Sequence, residues 1–320
     1  MPPIRFDPHA PLQFVINGAA GQNDADTKRA AIETALTLAG RRAELHVARP
    51  QDLAQVAREC AAAARAAGSA VVAVGGDGTI NTVAQAAHGA GCAMGVMPQG
   101  TFNYFARTHG IPPEPAAAIA ALLAATPRPV QIGLVNRKVF LVNASLGLYP
   151  ELLQDREAFK ARFGRSRPVA MLSGLVTLLR EHRQLKLRIE RGGQARDVRT
   201  PTLFVGNNRL QLEQIGVHTS GGVETGCVAA VMLRPIGTFA MLQLLLRGAL
   251  GSLGEAEDVE TFGFDRMVVQ PSLAFGMRRI KVAVDGEVLW MRAPLRFEVA
   301  EVPLYLLAPA RRFDDGEGGS

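Results

Sequence analysis

Residues Val71 to Asn81 read VVAVGGDGTIN, an apolar β-branched run that breaks into glycines and resumes as a helix-forming segment. A strand that turns through Gly75, Gly76 and Gly78 into a helix commits the chain to a βα unit. Units of that kind build a parallel sheet whose ligands gather at the carboxyl ends of its strands. Glycines here let backbone N–H groups converge on an anion, and the following helix points its positive end at the same place. Asp77 would repel a naked phosphate; it makes sense beside a metal ion, or beside the hydroxyls and waters around a nucleotide. A plain tight turn is the competing reading of these glycines.

The surrounding chain supports the α/β expectation. Leu12–Ile16 reads as a strand, and Ile32, Ala35, Leu36 and Ala39 recur at helical spacing between an Asp26 cap and a Gly40 stop. A strand follows at Glu44–Val47, a helix at Asp52–Ala67, a strand at Ala70–Val74, a helix at Thr79–His88 closed by Gly89, and a strand at Met94–Met97. Beyond about Pro129 the period shifts toward two. Val139–Val142, Leu185–Glu190, Thr202–Val205, Val228–Leu233, Val259–Phe264, Ile280–Val284 and Leu295–Val299 read as strands of an antiparallel domain. Helical stretches interrupt it around Pro150–Arg183 and Thr238–Leu250, and Phe313–Ser320 reads as a disordered tail. The expected fold is α/β: a doubly wound nucleotide-binding domain over 1–130, then an antiparallel β-sandwich-like domain over 131–301.

Composition removes several classes of function. The 320 residues are 48% apolar and 20% charged, an ordinary globular balance, and no apolar run reaches the ~20 residues that cross a bilayer. No charged-then-apolar leader opens the chain, which predicts a cytoplasmic protein. Three cysteines, never in a CxxC pair, support neither a disulfide framework nor a zinc knuckle and read as buried small hydrophobes; six histidines show no ligand spacing. A formal charge of +6 favours an anionic partner. With one Trp and three Tyr and no arginine–aromatic alternation, nucleic acid is not expected.

Two further segments carry chemistry. A second glycine loop, Gly100 to Asn103 in PQGTFN, follows the next strand and opens a helix, which puts a second cradle beside the first. Thr101 is placed to hold a phosphate; Asn103 either braces the loop or caps the helix. Asp285, Gly286 and Glu287 in KVAVDGEVLW spell a hairpin turn with an acid after it. A carboxylate at such a tip, facing a phosphate site, is suited to take the proton of a hydroxyl attacking a γ-phosphoryl group. That chemistry requires Asp77 and Glu287 to face one cleft.

In order along the chain, VINGAAG with its Asn17, GGDGTIN, PQGTFNYFARTHGIP, VFLVNASLGLYPELLQDRE, FVGNN and VDGE resemble the catalytic domain shared by diacylglycerol and sphingosine kinases, in its bacterial lipid-kinase branch. GGDGT alone also occurs in NAD kinases and phosphofructokinases; the ordered set is specific. The resemblance implies ATP and Mg²⁺ as cofactors, with Asn17, Gly75, Gly76, Asp77, Gly78, Thr79, Ile80, Asn81, Gly100, Thr101 and Asn103 around the nucleotide. It implies Glu287 as general base, beside which Asp77 is the other catalytic candidate, and a final strand near Leu304–Leu307 that returns to the first domain, with about 302–312. A diacylglycerol-like lipid would be the acceptor.

The chain departs from the family pattern where relatives place carboxylates linked to a metal and water network: Tyr104 stands for one Asp, Gln131 for another. The family's metal loop reads Glu224, Thr225, Gly226 here, with Glu224 as the one candidate ligand and a plain turn as the alternative. Basic residues flank the apolar stretch Val169–Leu179, which suits a helix lying on anionic lipid at the inner membrane face, each cation adding about 1 kcal/mol. A core-packed helix is the other reading of that stretch. Leu242, Leu245, Leu246 and Leu250 line an acyl pocket or pack the core. Against the lipid kinase stand a NAD kinase, disfavoured by the PQGTFNYFAR loop and the late DGE turn, and a lipid-binding or regulatory homologue weakened in catalysis, supported by Tyr104, Gln131 and Thr225.

Overall fold

The computed structural model describes residues 4–18, 22–147, 184–208, 226–234, 259–273 and 277–309. The chain divides into two compact units, Met1–Val130 with Val302–Ser320, and Gln131–Glu301. The helices expected around 150–183 and 238–250, the tail from 313, and Glu224 and Thr225 lie outside the described residues.

The first unit runs β1 (Leu12–Asn17), α1 (Gln22–Leu38), β2 (Ala43–Ala48), α2 (Leu53–Ala67), β3 (Ala70–Gly75), α3 (Asp77–Ala90), β4 (Ala93–Pro98), α4 (Tyr104–Thr108), α5 (Pro115–Ala124) and β5 (Pro127–Val130). The last described strand, β18 (Leu304–Leu307), completes its sheet in the order β2-β1-β3-β4-β18-β5. Pairing is parallel from β2 through β18, and β5 closes the edge antiparallel. Every residue of β3 and β4 is buried, as expected of central parallel strands covered on both faces. Phe14 and Ile16 of β1, Val72 and Val74 of β3, and Met97 of β4 pack in one core against Ile32 and Leu36 of α1 and Ile119 and Leu122 of α5.

Several boundaries differ from the sequence reading. Helix α1 is already under way at Gln22 rather than starting from an Asp26 cap, and α3 begins at Asp77, two residues before Thr79. The signature residues from Asp77 onward therefore form the first helical turn, not a loop. Helix α3 also runs past Gly89 and stops at Gly91, whose φ of 69° lets its N–H reach the carbonyls of Ala87 and His88. Helix α5 escapes the periodic signal because its alanine-rich sequence has no polar face; Glu114 starts it, accepting from the N–H groups of Ala116 (3.1 Å) and Ala117 (2.7 Å).

The second unit contains β6 (Gly133–Val135), β7 (Lys138–Phe140), β8 (Asn143–Gly147), β9 (Leu185–Arg191), β10 (Gln194–Thr200), β11 (Thr202–Gly206), β12 (Val228–Leu233), β13 (Val259–Phe264), β14 (Arg266–Pro271), β15 (Arg279–Val284), β16 (Glu287–Arg292) and β17 (Leu295–Val299). They form two six-stranded antiparallel sheets, β10-β9-β14-β17-β6-β7 and β13-β12-β11-β8-β15-β16. Alternate residues of both sheets meet in one core, with Leu187, Met267 and Phe297 from one side and Leu146, Val205 and Val282 from the other. Among the described residues no helix is long and apolar enough to cross a membrane.

Candidate active site

Strands β1, β3 and β4 are neighbours, so their carboxyl ends put Asn17, Gly75 and Pro98 on one edge of the first sheet. The three following segments converge there. Gly76 is the N-cap of α3, so the N–H groups of Gly76, Asp77, Gly78 and Thr79 have no partner in their own helix. This 14-residue helix supplies its positive end to that edge.

The glycines are required chiefly by how closely the loops approach. A Cβ on Gly100 would stand 3.0 Å from the Gly76 Cα and 2.8 Å from Asn103 Oδ1, and one on Gly75 would strike the Thr79 side chain at 2.6 Å. Gly76 itself is extended, at φ −81° and ψ −176°, a conformation any residue adopts. The two glycine loops thus lie backbone against backbone.

Side chains fix that contact. Asn17 Nδ2 donates to Thr79 Oγ1 at 2.8 Å, tying the end of β1 to the first turn of α3. Asp77 Oδ2 accepts from the Asn103 N–H at 3.1 Å, clasping the second loop to the first. Asn103 stands at the N-cap of α4 with φ 48°, yet its side chain caps nothing. It turns back on its own loop, accepting from the Gly100 N–H (2.9 Å) and donating to the Gly100 carbonyl (2.8 Å). Of the two roles open to Asn103 in the sequence, bracing is the one its hydrogen bonds show. Thr101 is exposed on the bend between, and the Phe102 and Tyr104 rings stack with centroids 5.7 Å apart. Ile80, fully buried, serves the core with its side chain, while Asn81 is buried in the same helix.

Asp77 is the one acid among these loops. Burial raises its pKa above the ordinary carboxylate value, against the opposing pull of the Asn103 and Tyr104 N–H groups. Its Oδ1 is buried and has no hydrogen-bond partner. An orphaned hard oxygen beside unpartnered helix N–H groups is of the chemistry that fits a divalent cation.

Glu287 lies in the second unit, exposed at the first position of β16. Val284 pairs with it across a two-residue Asp285–Gly286 loop, both residues at positive φ (45° and 90°), the geometry of a type I′ hairpin. Sequence reasoning missed the role of Asp285. Its carboxylate accepts from the N–H groups of Leu141 (2.7 Å), Val142 (2.9 Å) and Asn143 (2.9 Å), pinning the hairpin tip to the β7–β8 connection. An Asp at a turn is its only sequence signal, and that signal cannot name a partner over a hundred residues away.

Gln131, which stands where relatives carry a carboxylate, is engaged by protein groups. Gln131 Nε2 donates to Asn207 Oδ1 (2.9 Å) and the Cys227 carbonyl (2.8 Å), while its Oε1 accepts from the Gly226 N–H (2.7 Å). The backbone partners fix the amide orientation, since a carbonyl needs a donor and an N–H an acceptor. The neutral side chain is thus satisfied by protein alone. No cluster of three or more His, Cys, Asp or Glu among the described residues is suited to a metal ion. Cys60 and Cys92 are buried, and burial pushes their thiols up to about 11, so neither is a nucleophile at neutral pH; Cys227 is only half-buried, contrary to the sequence reading.

Residues 11–135, which hold both glycine loops, match the family model described as the diacylglycerol kinase catalytic domain. These residues are similar to that domain. A probable lipid kinase YegS-like of Pseudomonas aeruginosa is 52% identical to this chain over 94 residues, a stretch covering 28% of this chain and only 31% of that relative. A probable lipid kinase YegS-like of Pseudomonas putida is 29% identical over 262 residues, 79% of this chain and 82% of the relative. The diacylglycerol kinase of Bacillus subtilis is 40% identical over 93 residues, 27% of this chain and 29% of that protein. A crystal structure of a Bacillus anthracis diacylglycerol kinase shares the fold with a TM-score of 0.62 at 19% identity, over 93% of this chain and 97% of that one. The α/β unit followed by antiparallel sheets is therefore the diacylglycerol kinase-like fold.

Proposed function

We propose that this protein is an ATP-dependent lipid kinase that phosphorylates the hydroxyl of a diacylglycerol-like lipid, with the first unit as its ATP-binding domain and the second as its substrate domain. The observation that carries the reading is the double glycine cradle, held shut by Asp77 and Asn103 at the carboxyl edge of a parallel sheet. The free N–H groups at the start of α3 suit the phosphates of ATP, and Thr101 is free to add a hydroxyl. Asp77 Oδ1 would hold Mg²⁺, which supplies charge neutralisation on the phosphates when bound.

Glu287 takes the proton of the lipid hydroxyl. That oxygen bonds to the γ-phosphorus, the bond from phosphorus to the β,γ-bridging oxygen breaks, and ADP leaves. Asp285 positions the base by anchoring its turn. Incubation with labelled ATP and total bacterial lipid, followed by identification of the labelled product, tests the reaction and names the acceptor. Glu287→Ala should lower transfer about 10²- to 10⁴-fold, the usual share of a general base, while leaving folding intact because the side chain is exposed. A folded variant with unchanged rate removes the base assignment. The saturated Gln131 amide favours a second reading, a lipid-binding homologue weakened in catalysis. Vesicle binding with no transfer across Mg²⁺, Mn²⁺ and a broad lipid panel would select it.

A further inference from the structure

The hairpin that carries Glu287 has a second chemistry on its outer face. Strand β16 is the edge of its sheet, paired with β15 so that Arg279 stands opposite Arg292 and Lys281 opposite Trp290. Ile280, Leu289 and Met291 pack inward on the core, so period-two alternation puts Arg279, Lys281, Trp290 and Arg292 together on the outer face. Trp290 is 55% exposed, and its ring carries the Lys281 ammonium 5.4 Å from its centroid. Met277, also 55% exposed, precedes the strand. The row itself contains three cations and no acid; of the two acids on the hairpin, Asp285 is spent on three backbone N–H groups, and Glu287, in step with Leu289 and Met291, belongs to the opposite face.

We infer that this face is the docking surface for an anionic lipid bilayer. Leaving so large an apolar ring exposed to water gains nothing for the protein alone, whereas an indole with a polar N–H and an apolar body sits well at the headgroup boundary. Cations on either side add attraction to anionic headgroups, and Lys and Arg stems extend their charges past the ring. Edge-strand protection alone would explain the basic residues but not an exposed Trp among them. Trp290 is three residues from Glu287, about 10 Å along the strand and on the opposite face of it, so docking through the outer face holds the hairpin that carries the proposed base at the bilayer surface.

Trp290 is the only tryptophan in the chain, so its fluorescence reports on this face alone. Full-length protein is titrated with phosphatidylcholine vesicles, with and without phosphatidylglycerol, and with brominated acyl chains as quenchers. Anionic vesicles should shift the emission to the blue and the brominated lipid should quench it; neutral vesicles should do little. Replacing Arg279, Lys281 and Arg292 together by Gln should weaken vesicle sedimentation about a hundredfold. Absence of binding to anionic vesicles, or binding that leaves the Trp290 emission unchanged, overturns the inference. The choice of a bilayer as partner rests on the lipid-kinase reading, but the measurement needs no turnover: failure to label any lipid would sink that reading while leaving the fluorescence result standing.

Discussion

Asp77 joins a structural duty to the chemical one proposed for it. Its Oδ2 holds the second loop while its Oδ1 stays buried and unpartnered, so the free protein bears the desolvation cost of a carboxylate. Because the folded pKa is raised above the unfolded value, the group favours folding when protonated, and that contribution is lost as pH rises through the folded pKa. Asp77→Asn should therefore raise the Tm slightly at neutral pH, with the difference from the parent closing in acid, while transfer activity falls. Thermal melts of both proteins across pH check the sign; a variant less stable at neutral pH would show that Asp77 is held as a favourable anion. Gly100 is limited by space instead. Gly100→Ala sets a methyl 3.0 Å from the Gly76 backbone, which cannot give way as a side-chain end does, and should cost about 1–3 kcal/mol with a matching loss of nucleotide affinity. Isothermal titration with ATP and denaturant unfolding measure both.

At the scale of elements, two hydrogen-bonded staples hold the hairpin of Glu287. Asp285 binds the β7–β8 connection, and Asn207 Nδ2 donates to the Leu141 carbonyl (3.1 Å) of that same connection while its Oδ1 accepts from Gln131 (2.9 Å). Gln131 suits its place because it faces two oxygens and one N–H; a carboxylate there would need a cation between it and the oxygens. Gln131→Glu should lower the Tm by roughly 5 °C in EDTA and recover part of the loss in Ca²⁺ or Mg²⁺, a larger divalent response than the parent shows through Asp77. Differential scanning fluorimetry decides it, and a variant whose divalent response is no larger than the parent's would refute the assignment. Glycine and apolar periodicity marked strands such as β3 and β12 because burial repeats with the strand. They passed over β10, whose residues are mostly exposed, and the three-residue β6, and they set β7 at Val139–Val142 where it spans Lys138–Phe140.

The whole molecule depends on a strand that comes from its far end. Leu304, Leu306 and Leu307 of β18 are buried between β4 and β5, so a chain truncated after Glu301 leaves two sheet edges bare. At about 1.5–3 kcal/mol for each buried leucine, the loss rivals the entire stability of a domain. The truncated protein should lose protease resistance in the first unit, read by limited proteolysis with mass spectrometry; an equally resistant fragment would show that β18 is dispensable. The sequence alone determined the α/β unit, the antiparallel region after it, the two glycine loops and the acid behind the DG turn, because each is a local pattern of period, turn chemistry and residue type. Only the tertiary structure decided that Asp77 reaches Asn103, that Asp285 is an anchor, that Gln131 is satisfied without a cation and that Trp290 shares an outer face with three cations. Those pairings join residues far apart in the chain, and a hydrogen bond or a shared face leaves no periodic trace in the order of the residues that make it.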